Sequence, residues 1–314
     1  MRRLKKWATV LVFLLTAVVL LPSCNDEVSA PSGEYKTLID SEGNLLAIPK
    51  DARVACAYGS FAECWMLSGG RLVGVTEDAV SERGLELEEG VTIIGSVKSV
   101  DLERLIALDP DLVILSADLT VHRQLARQLS DRGIASGLFR VDSFEDYSRV
   151  MREFCNFNGG EEPYAHYVTE VGERIESICS AVPDGEKGRT ALIMRAYSNG
   201  IKVKTDTLAE DISRELGCVS LAEKYPSLLT DLSVEQIVLS DPDYIFVLTM
   251  GDESEAAAYL ERYVDENSAL SELDAVKNGR MILLPKELFH YKPNDKWDES
   301  YEFLAKILYP GQFE

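Results

Sequence analysis

VDLERLIALDPDLVIL, residues 100–115, returns 132 residues later as LSVEQIVLSDPDYIFVL, residues 232–248. In each copy a glutamate, Glu103 or Glu235, stands six residues ahead of an Asp-Pro-Asp triplet, Asp109–Asp111 or Asp241–Asp243. The apolar pairs Leu102/Val234, Leu105/Ile237 and Ile106/Val238 fall in register at helical spacing, and a β-branched apolar run follows each triplet. Each copy therefore predicts a helix, a turn and a buried strand. Solenoids need many short units to share one core. Two long copies point instead to two similar α/β lobes.

Outward from the first copy, Arg53–Ala57 reads as a short buried strand, and Ser60-Phe61-Ala62-Glu63 as a capping box opening a helix over Phe61–Ser68. Gly69-Gly70 ends that helix, and Arg71–Val75 is the next strand. Strands separated by helices imply parallel pairing with right-handed crossovers. Upstream, Leu38–Ile48 alternates around Ser41-Glu42-Gly43-Asn44 as a hairpin. Downstream, a helix from about His122 to Arg132 ends at Gly133, and Leu138–Val141 is a short strand. Ser143 caps a helical stretch carrying Phe144, Tyr147, Met151 and Phe154, which Gly159-Gly160 interrupts. A second run from Pro163 to Ile178 follows, and about 18 helical residues span roughly 27 Å, enough to join two lobes.

The second half repeats the plan. Strands are expected at Thr190–Met194, Tyr244–Leu248 and Met281–Leu284, and helices at Leu208–Leu216 and Glu255–Val264. A final helix carries Trp297, Tyr301, Leu304 and Leu308. The fold expected is α/β: two Rossmann-like lobes with mainly parallel sheets, joined by a long linker helix, with a ligand cleft between them. The boundaries expected are 36–142 for the first lobe, 143–182 for the helical linker and 183–314 for the second lobe.

The 314 residues, 46% hydrophobic, suffice for two cores. A formal net charge of −21 excludes a nucleic-acid partner, which needs a surplus of Lys and Arg. Residues 1–24 read as an export signal, with Arg2, Arg3, Lys5 and Lys6 ahead of the apolar stretch Ala8–Leu21. That stretch is shorter than the roughly 20 residues of a membrane span. Leu21-Pro22-Ser23-Cys24 resembles the lipobox of bacterial lipoproteins, which makes Cys24 the lipid-bearing terminus of an exported protein. Residues 25–35 then form a flexible tether. Cys56, Cys64, Cys155, Cys179 and Cys218 lie far apart without a C-x-x-C, which suits buried thiols; one disulfide such as Cys155–Cys179 is the alternative.

RVACAYGSFAECWMLSGGRLVGVTED at 53–78, the two repeat copies, and AVKNGRMILLP at 275–285 together resemble the substrate-binding proteins of ABC importers for iron complexes and vitamin B12. The resemblance covers roughly residues 36–310 and rests on the ordered set of motifs. It implies two lobes on one rigid helix with modest closure of the cleft. It also implies that Glu103 and Glu235, one per lobe, dock onto arginines of the permease. Asp101 and Ser233 occupy matching N-cap positions, which puts each glutamate in an exposed first turn. A first-turn glutamate also stabilises a helix by about 0.3–1 kcal/mol through the dipole alone. What favours docking is the duplication.

Cleft candidates lie in loops after strand ends: Tyr58 and Ser60, Lys98, Arg195 and Tyr197, Thr249, and His290 with Tyr291. Tyr and Arg there suit a planar or anionic ligand by stacking and ion pairing. His122, His166 and His290 are the only histidines, too few for a bare-metal receptor, so no metal site and no resident cofactor are assigned. The chain carries no G-x-S-x-G, no G-x-x-x-x-G-K-[ST] and no H-E-x-x-H, and no catalytic residue is assigned. The reading is a monomeric, lipid-anchored receptor that captures an iron-siderophore, corrinoid or related metal chelate and delivers it to an ABC permease. Two alternatives stay open. One is a haem receptor with Tyr58, His290, Tyr291 or Met250 as axial ligand; the other is a partner-binding lipoprotein of the same fold that transports nothing.

Overall fold

The computed structural model describes residues 34–230 and 232–313. The expected export signal, Cys24 and the expected tether up to residue 33 lie outside them. Residues 34–314 form one compact unit.

The described chain opens with an antiparallel hairpin, β1 (Tyr35–Ile39) and β2 (Leu45–Pro49), as the alternation around residues 41–44 predicts. There follow β3 (Val54–Cys56), α1 (Gly59–Leu67), β4 (Gly74–Val75), α2 (Asp78–Ser81) and β5 (Thr92–Ile93). A small hairpin, β6 (Gly95–Ser96) and β7 (Ser99–Val100), leads into the first repeat copy, α3 (Leu102–Ala107) and β8 (Leu112–Ser116). Gly95 sits at φ 102, and a Cβ there would lie 2.5 Å from the Ser99 carbonyl, so this hairpin needs glycine. Then come α4 (Thr120–Ser130), β9 (Ala135–Phe139) and α5 (Phe144–Asn158). The Ser143 cap forms a full capping box with Asp146, and Gly159 ends α5 in the left-handed region.

The linking helix runs without a break from α6 (Glu161–Tyr164) through a π turn at Ala165–Thr169 into α7 (Glu170–Ala181). A π turn displaces backbone carbonyls from the helical ladder, and the Tyr147 hydroxyl donates to the Tyr167 carbonyl there at 3.2 Å. The second half comprises β10 (Thr190–Tyr197), β11 (Gly200–Val203), α8 (Leu208–Glu215), β12 (Val219–Ser220) and α9 (Leu221–Lys224). The second repeat copy follows as α10 (Val234–Ser240) and β13 (Tyr244–Thr249). Next come α11 (Glu253–Glu266), α12 (Ser268–Ser271), α13 (Asp274–Lys277) and β14 (Met281–Leu283). The last helices are α14 (Lys286–Phe289) and α15 (Trp297–Leu308).

The first sheet is wholly parallel, in the order β5-β4-β3-β8-β9. The chain starts at the centre, winds to one edge, returns and winds to the other, which is a doubly wound sheet. Strand alternation sorts its residues. Val54, Cys56, Leu112 and Ile114 face α1 and α5, whereas Ala55, Ala57, Val113 and Leu115 face α3 and α4. The second sheet has the order β11-β10-β13-β14, with β12 also beside β10; only β11 runs antiparallel. The largest core runs from the first sheet through α5, α7 and α15 to the face of the second sheet that carries Ile193 and Phe246. A separate core covers the opposite face, under α9 to α13.

The repeated triplet has one geometry in both halves. Asp109 and Asp241 turn the chain at φ 47 and 41, and the proline keeps the helix from continuing. The second aspartate then reaches the neighbouring central strand. Asp111 Oδ2 accepts from the Arg53 N–H at 2.7 Å, and Asp243 Oδ2 accepts from the Thr190 N–H at the same distance.

Two expectations are corrected. Ser60 and Glu63 form no capping box; α1 begins at Gly59, with no side-chain cap from Tyr58. The strand expected at Leu138–Val141 is β9, Ala135–Phe139, because Leu112 pairs with Ala135 and Arg140 leaves the sheet for Asp118. The five cysteines that the structure describes are free thiols, four of them buried.

His122 is fully buried in α4 and joins three segments. Its Nδ1 accepts from the Ser116 N–H and its Nε2 lies 2.9 Å from the Val97 carbonyl, so the ring is neutral with the proton on Nε2. Desolvation holds its pKa below the ordinary 6.5, although the Val97 carbonyl and Asp78 pull upward. The unfolded chain thus binds a proton near pH 6.5 that the fold refuses, so this contribution is whole above that pH and lost as pH falls below it. Urea unfolding from pH 7.5 down to pH 5 is expected to show falling stability, at most about 1.4 kcal/mol per pH unit for one proton. In His122→Gln, whose amide offers the same acceptor and donor without titrating, that slope is expected to shrink; an equal slope in both proteins removes His122 as its source.

Candidate functional site

Where a doubly wound sheet reverses direction, the loops at the carboxyl ends of adjacent strands part and leave a crevice. In the first sheet that point lies between β3 and β8, from which Tyr58 and Asp118 emerge. Tyr58 is extended, at φ −152, and half-buried. Gly59 follows, and its N–H donates to Asp78 Oδ2 at 2.6 Å. A Cβ on Gly59 would lie 2.8 Å from both the Ala79 nitrogen and Asp78 Oδ2, so the approach of α2 dictates glycine. Asp78 thereby brings a carboxylate to the N-terminus of α1, the service expected of Ser60. Burial first, then the charges of Asp78, Asp118 and Glu82, push the Tyr58 phenol up to about 12.

Alternation along the second sheet divides the other candidates. Arg195 and Tyr197 share the face of Ile193, whereas Thr249 pairs with Ala196 on the opposite face and is buried. Thr249 therefore does not join Arg195. Among the described residues the Arg195 guanidinium makes one long bond, Nη2 to the Asp206 carbonyl at 3.3 Å, and its Nε is buried without an acceptor. His290 stands exposed after α14, its ring 5.1 Å from that of Tyr291. Partial desolvation, then the charges of Lys286 and Arg195, lower the His290 pKa, which keeps the imidazole neutral at pH 7. Lys286 is tied to the loop after β13 by its 2.7 Å bond to the Gly251 carbonyl.

The two halves meet at Tyr291. Burial raises its pKa, followed by the charges of Glu82 from the first half and Glu253 from the second. Glu82 is itself raised, by desolvation and then by Asp78. Arg195, Tyr197, His290 and Tyr291 thus stand at or just past the strand ends of the second half, and Tyr58 at the strand-end region of the first. Ser60 is buried beneath it, its carbonyl taken by the Asn294 amide at 2.9 Å. Lys98 stands exposed at the tip of the β6–β7 hairpin, with no hydrogen bond or ion pair among the described residues.

Sequence reasoning missed Asp78, Glu82, Arg83, Lys286 and Asn294. Asp78 closed the run GVTED without any local sign of its reach to Gly59. Pro293-Asn294 was the readable signal, since Asn tolerates the left-handed region, where Asn294 stands at φ 55.

Glu103 and Glu235 lie exposed in the first turns of α3 and α10. Asp101 and Ser233 cap those helices by accepting from Arg104 and Gln236 at 3.0 and 3.1 Å. A cavity of about 740 Å³ is a groove between the β1–β2 turn and α5, not the crevice. Its arginines are committed: Arg123 to Glu42, Arg140 to Asp118, Arg149 to Asp146, and Arg152 stacked on Tyr164. Among the described residues, no group of three or more His, Cys, Asp or Glu side chains is placed to hold a metal ion.

Two parallel-sheeted halves with a crevice at their strand ends define a binding protein for a small solute. The chain belongs to the periplasmic binding protein family, which it matches over residues 54–288. That family is one of substrate-binding proteins rather than of enzymes. The petrobactin-binding protein YclQ of Bacillus subtilis (strain 168) is 22% identical over 308 residues, covering 90% of this chain and 91% of the relative. Staphylococcus aureus SirA, solved with staphyloferrin B, superimposes with a TM-score of 0.63 at 18% identity, covering 88% of this chain and 97% of that one. A periplasmic heme binding protein from Pseudomonas aeruginosa gives 0.66 at 20% identity, with 83% and 93% covered.

Proposed function

We propose that this chain is the substrate-binding receptor of an ABC importer, that it takes an iron chelate into the crevice between its halves, and that it works as a monomer. One observation carries the choice of an anionic ligand. Arg195, with a buried Nε that lacks an acceptor, stands with Lys286 and His290 at the carboxyl ends of the second sheet. Arg195 and Lys286, neither in a salt bridge among the described residues, suit a carboxylate- or catecholate-bearing chelate, which supplies acceptors in bidentate form. The similar proteins named for petrobactin and staphyloferrin B support the same cargo. Haem is the second reading, because neutral His290 offers an imidazole ligand beside Tyr291. Capture is binding alone. Glu103 and Glu235 present one carboxylate per half to the permease, and a lipid on Cys24 keeps the exported receptor at the membrane.

Ferric siderophores, ferric citrate, haem and corrinoids are to be screened by thermal shift and visible absorption. A bound ligand at 100 times its Kd stabilises the fold by about 2.7 kcal/mol. Arg195→Ala is expected to weaken an anionic ferric chelate at least tenfold, about 1.4 kcal/mol. A Soret band abolished by His290→Ala moves the assignment to haem, and no shift with any chelate moves it to a non-transporting adaptor.

In cells, Glu103→Lys combined with Glu235→Lys is expected to abolish uptake while solution affinity stays unchanged; normal uptake by the double variant refutes the docking role.

Cys24→Ala is expected to shift the protein from the membrane to the soluble fraction, and unchanged retention refutes the lipid anchor.

A further inference from the structure

Between α14 and α15 the chain crosses from the second sheet to the first and is fastened there by side chains remote in sequence. Arg83 Nη1 donates to the Lys292 carbonyl at 2.9 Å. The Asn294 amide donates to the Ser60 carbonyl and to the Glu63 carboxylate. The Lys292 ammonium donates to the Val141 carbonyl and lies 3.4 Å from Asp142. Arg83 and Glu63 pair with each other, their side chains only 7% and 16% exposed.

Asn294 is fully buried at φ 55, a left-handed backbone that a non-glycine residue adopts at a cost. Such an outlier persists only where its surroundings over-determine it, and here the Asn294 amide is held by two acceptors on α1. His290 and Tyr291 immediately precede this fastened segment. The apolar core shared by the halves is non-directional and holds them together without defining an angle. The hydrogen-bonded crossing is directional.

We propose that Arg83, Lys292 and Asn294 are positioning residues of the crevice: by clamping residues 292–296 to α1 and to the loop after β9, they set how far His290 and Tyr291 stand from Tyr58. The proposal rests on reading the crevice as the ligand site. The clamp determines the width a ligand meets and the ease with which it leaves.

The test uses the full chain carrying Cys24→Ser and Cys179→Ser, so that the remaining native thiols are buried. Nitroxides are placed at Lys98→Cys and Lys202→Cys, exposed positions in opposite halves. Pulsed electron resonance without ligand is expected to give one narrow distance distribution in this parent. Asn294→Gly, which suits φ 55 but lacks the amide, combined with Lys292→Met, is expected to broaden and shift it. Lys292→Arg, which keeps a donor, is expected to preserve the parent distribution. An unchanged distribution in the double variant overturns the proposal. Should the double variant not fold, Lys292→Met alone, at a side chain 23% exposed, carries the same expectation.

With ferric citrate as probe, in chains that keep Lys98 and Lys202, release is expected to quicken about tenfold in the double variant while unfolding stays cooperative. Release at the parent rate also overturns the proposal. Failure of the parent to bind ferric citrate counts against the ligand reading and leaves the distances to decide the clamp.

Discussion

Two carboxylates hold the central strand pair of each sheet in register. Parallel partners are far apart in sequence, so no turn aligns them. Asp111 and Asp243 do so by accepting the N–H at the entrance of the adjacent strand, from Arg53 and Thr190, both at 2.7 Å. Hydrogen bonds to a charged acceptor are shorter and stronger than neutral ones. A slip of one residue would exchange the faces of every strand position. Val54 and Cys56 would then trade places with Ala55 and Ala57, and Arg195 with Ala196. These two bonds set the starting points of β3 and β10, and with them the places of Tyr58 and Arg195 along the chain that follows.

From that alignment follows the electrostatic character of the crevice. The chain is acidic overall, and Arg123, Arg140 and Arg149 in the groove beside α5 are paired with carboxylates. Among the described residues Arg195 is not. Its neighbours Lys286 and His290 are basic, and its Nε lies buried without an acceptor. Burying a donor without a partner costs free energy that a ligand can return, which is the ordinary origin of specificity for hydrogen-bonding ligands. Glu82 faces this region from the first half, with no salt bridge among the described residues though Lys286 and Arg83 act on its charge, and a carboxylate there disfavours ligands that are anionic throughout.

Local chemistry was legible where both partners lie within a few residues. Asp101 and Ser233 cap their helices, Ser143 and Asp146 make the capping box, and the Asp-Pro-Asp turns stand where their composition places them. Ser60 had the same credentials and failed, because Asp78, nineteen residues beyond Gly59, takes the Gly59 N–H and so supplies the carboxylate at that helix end. Thr249 was chosen for its place after a strand, yet alternation turns it to the opposite face from Arg195. Position in a loop carries no information about which side of the sheet a residue serves.

The amino-acid order by itself determined a duplicated α/β unit, parallel sheets, a helical connection, and a glutamate exposed in the first turn of each repeated helix. These follow from periodicity, proline and capping, which act over one or two turns of chain. Only the tertiary structure decided which candidates meet. Tyr58 and Tyr291 are 233 residues apart. The charge of Glu82 reaches both, and Asn294 and Lys292 fasten the segment after Tyr291 to α1 and to the loop after β9. Burial of the Arg83–Glu63 pair, and the strained backbone that Asn294 accepts to reach it, depend on contacts that have no trace in local composition.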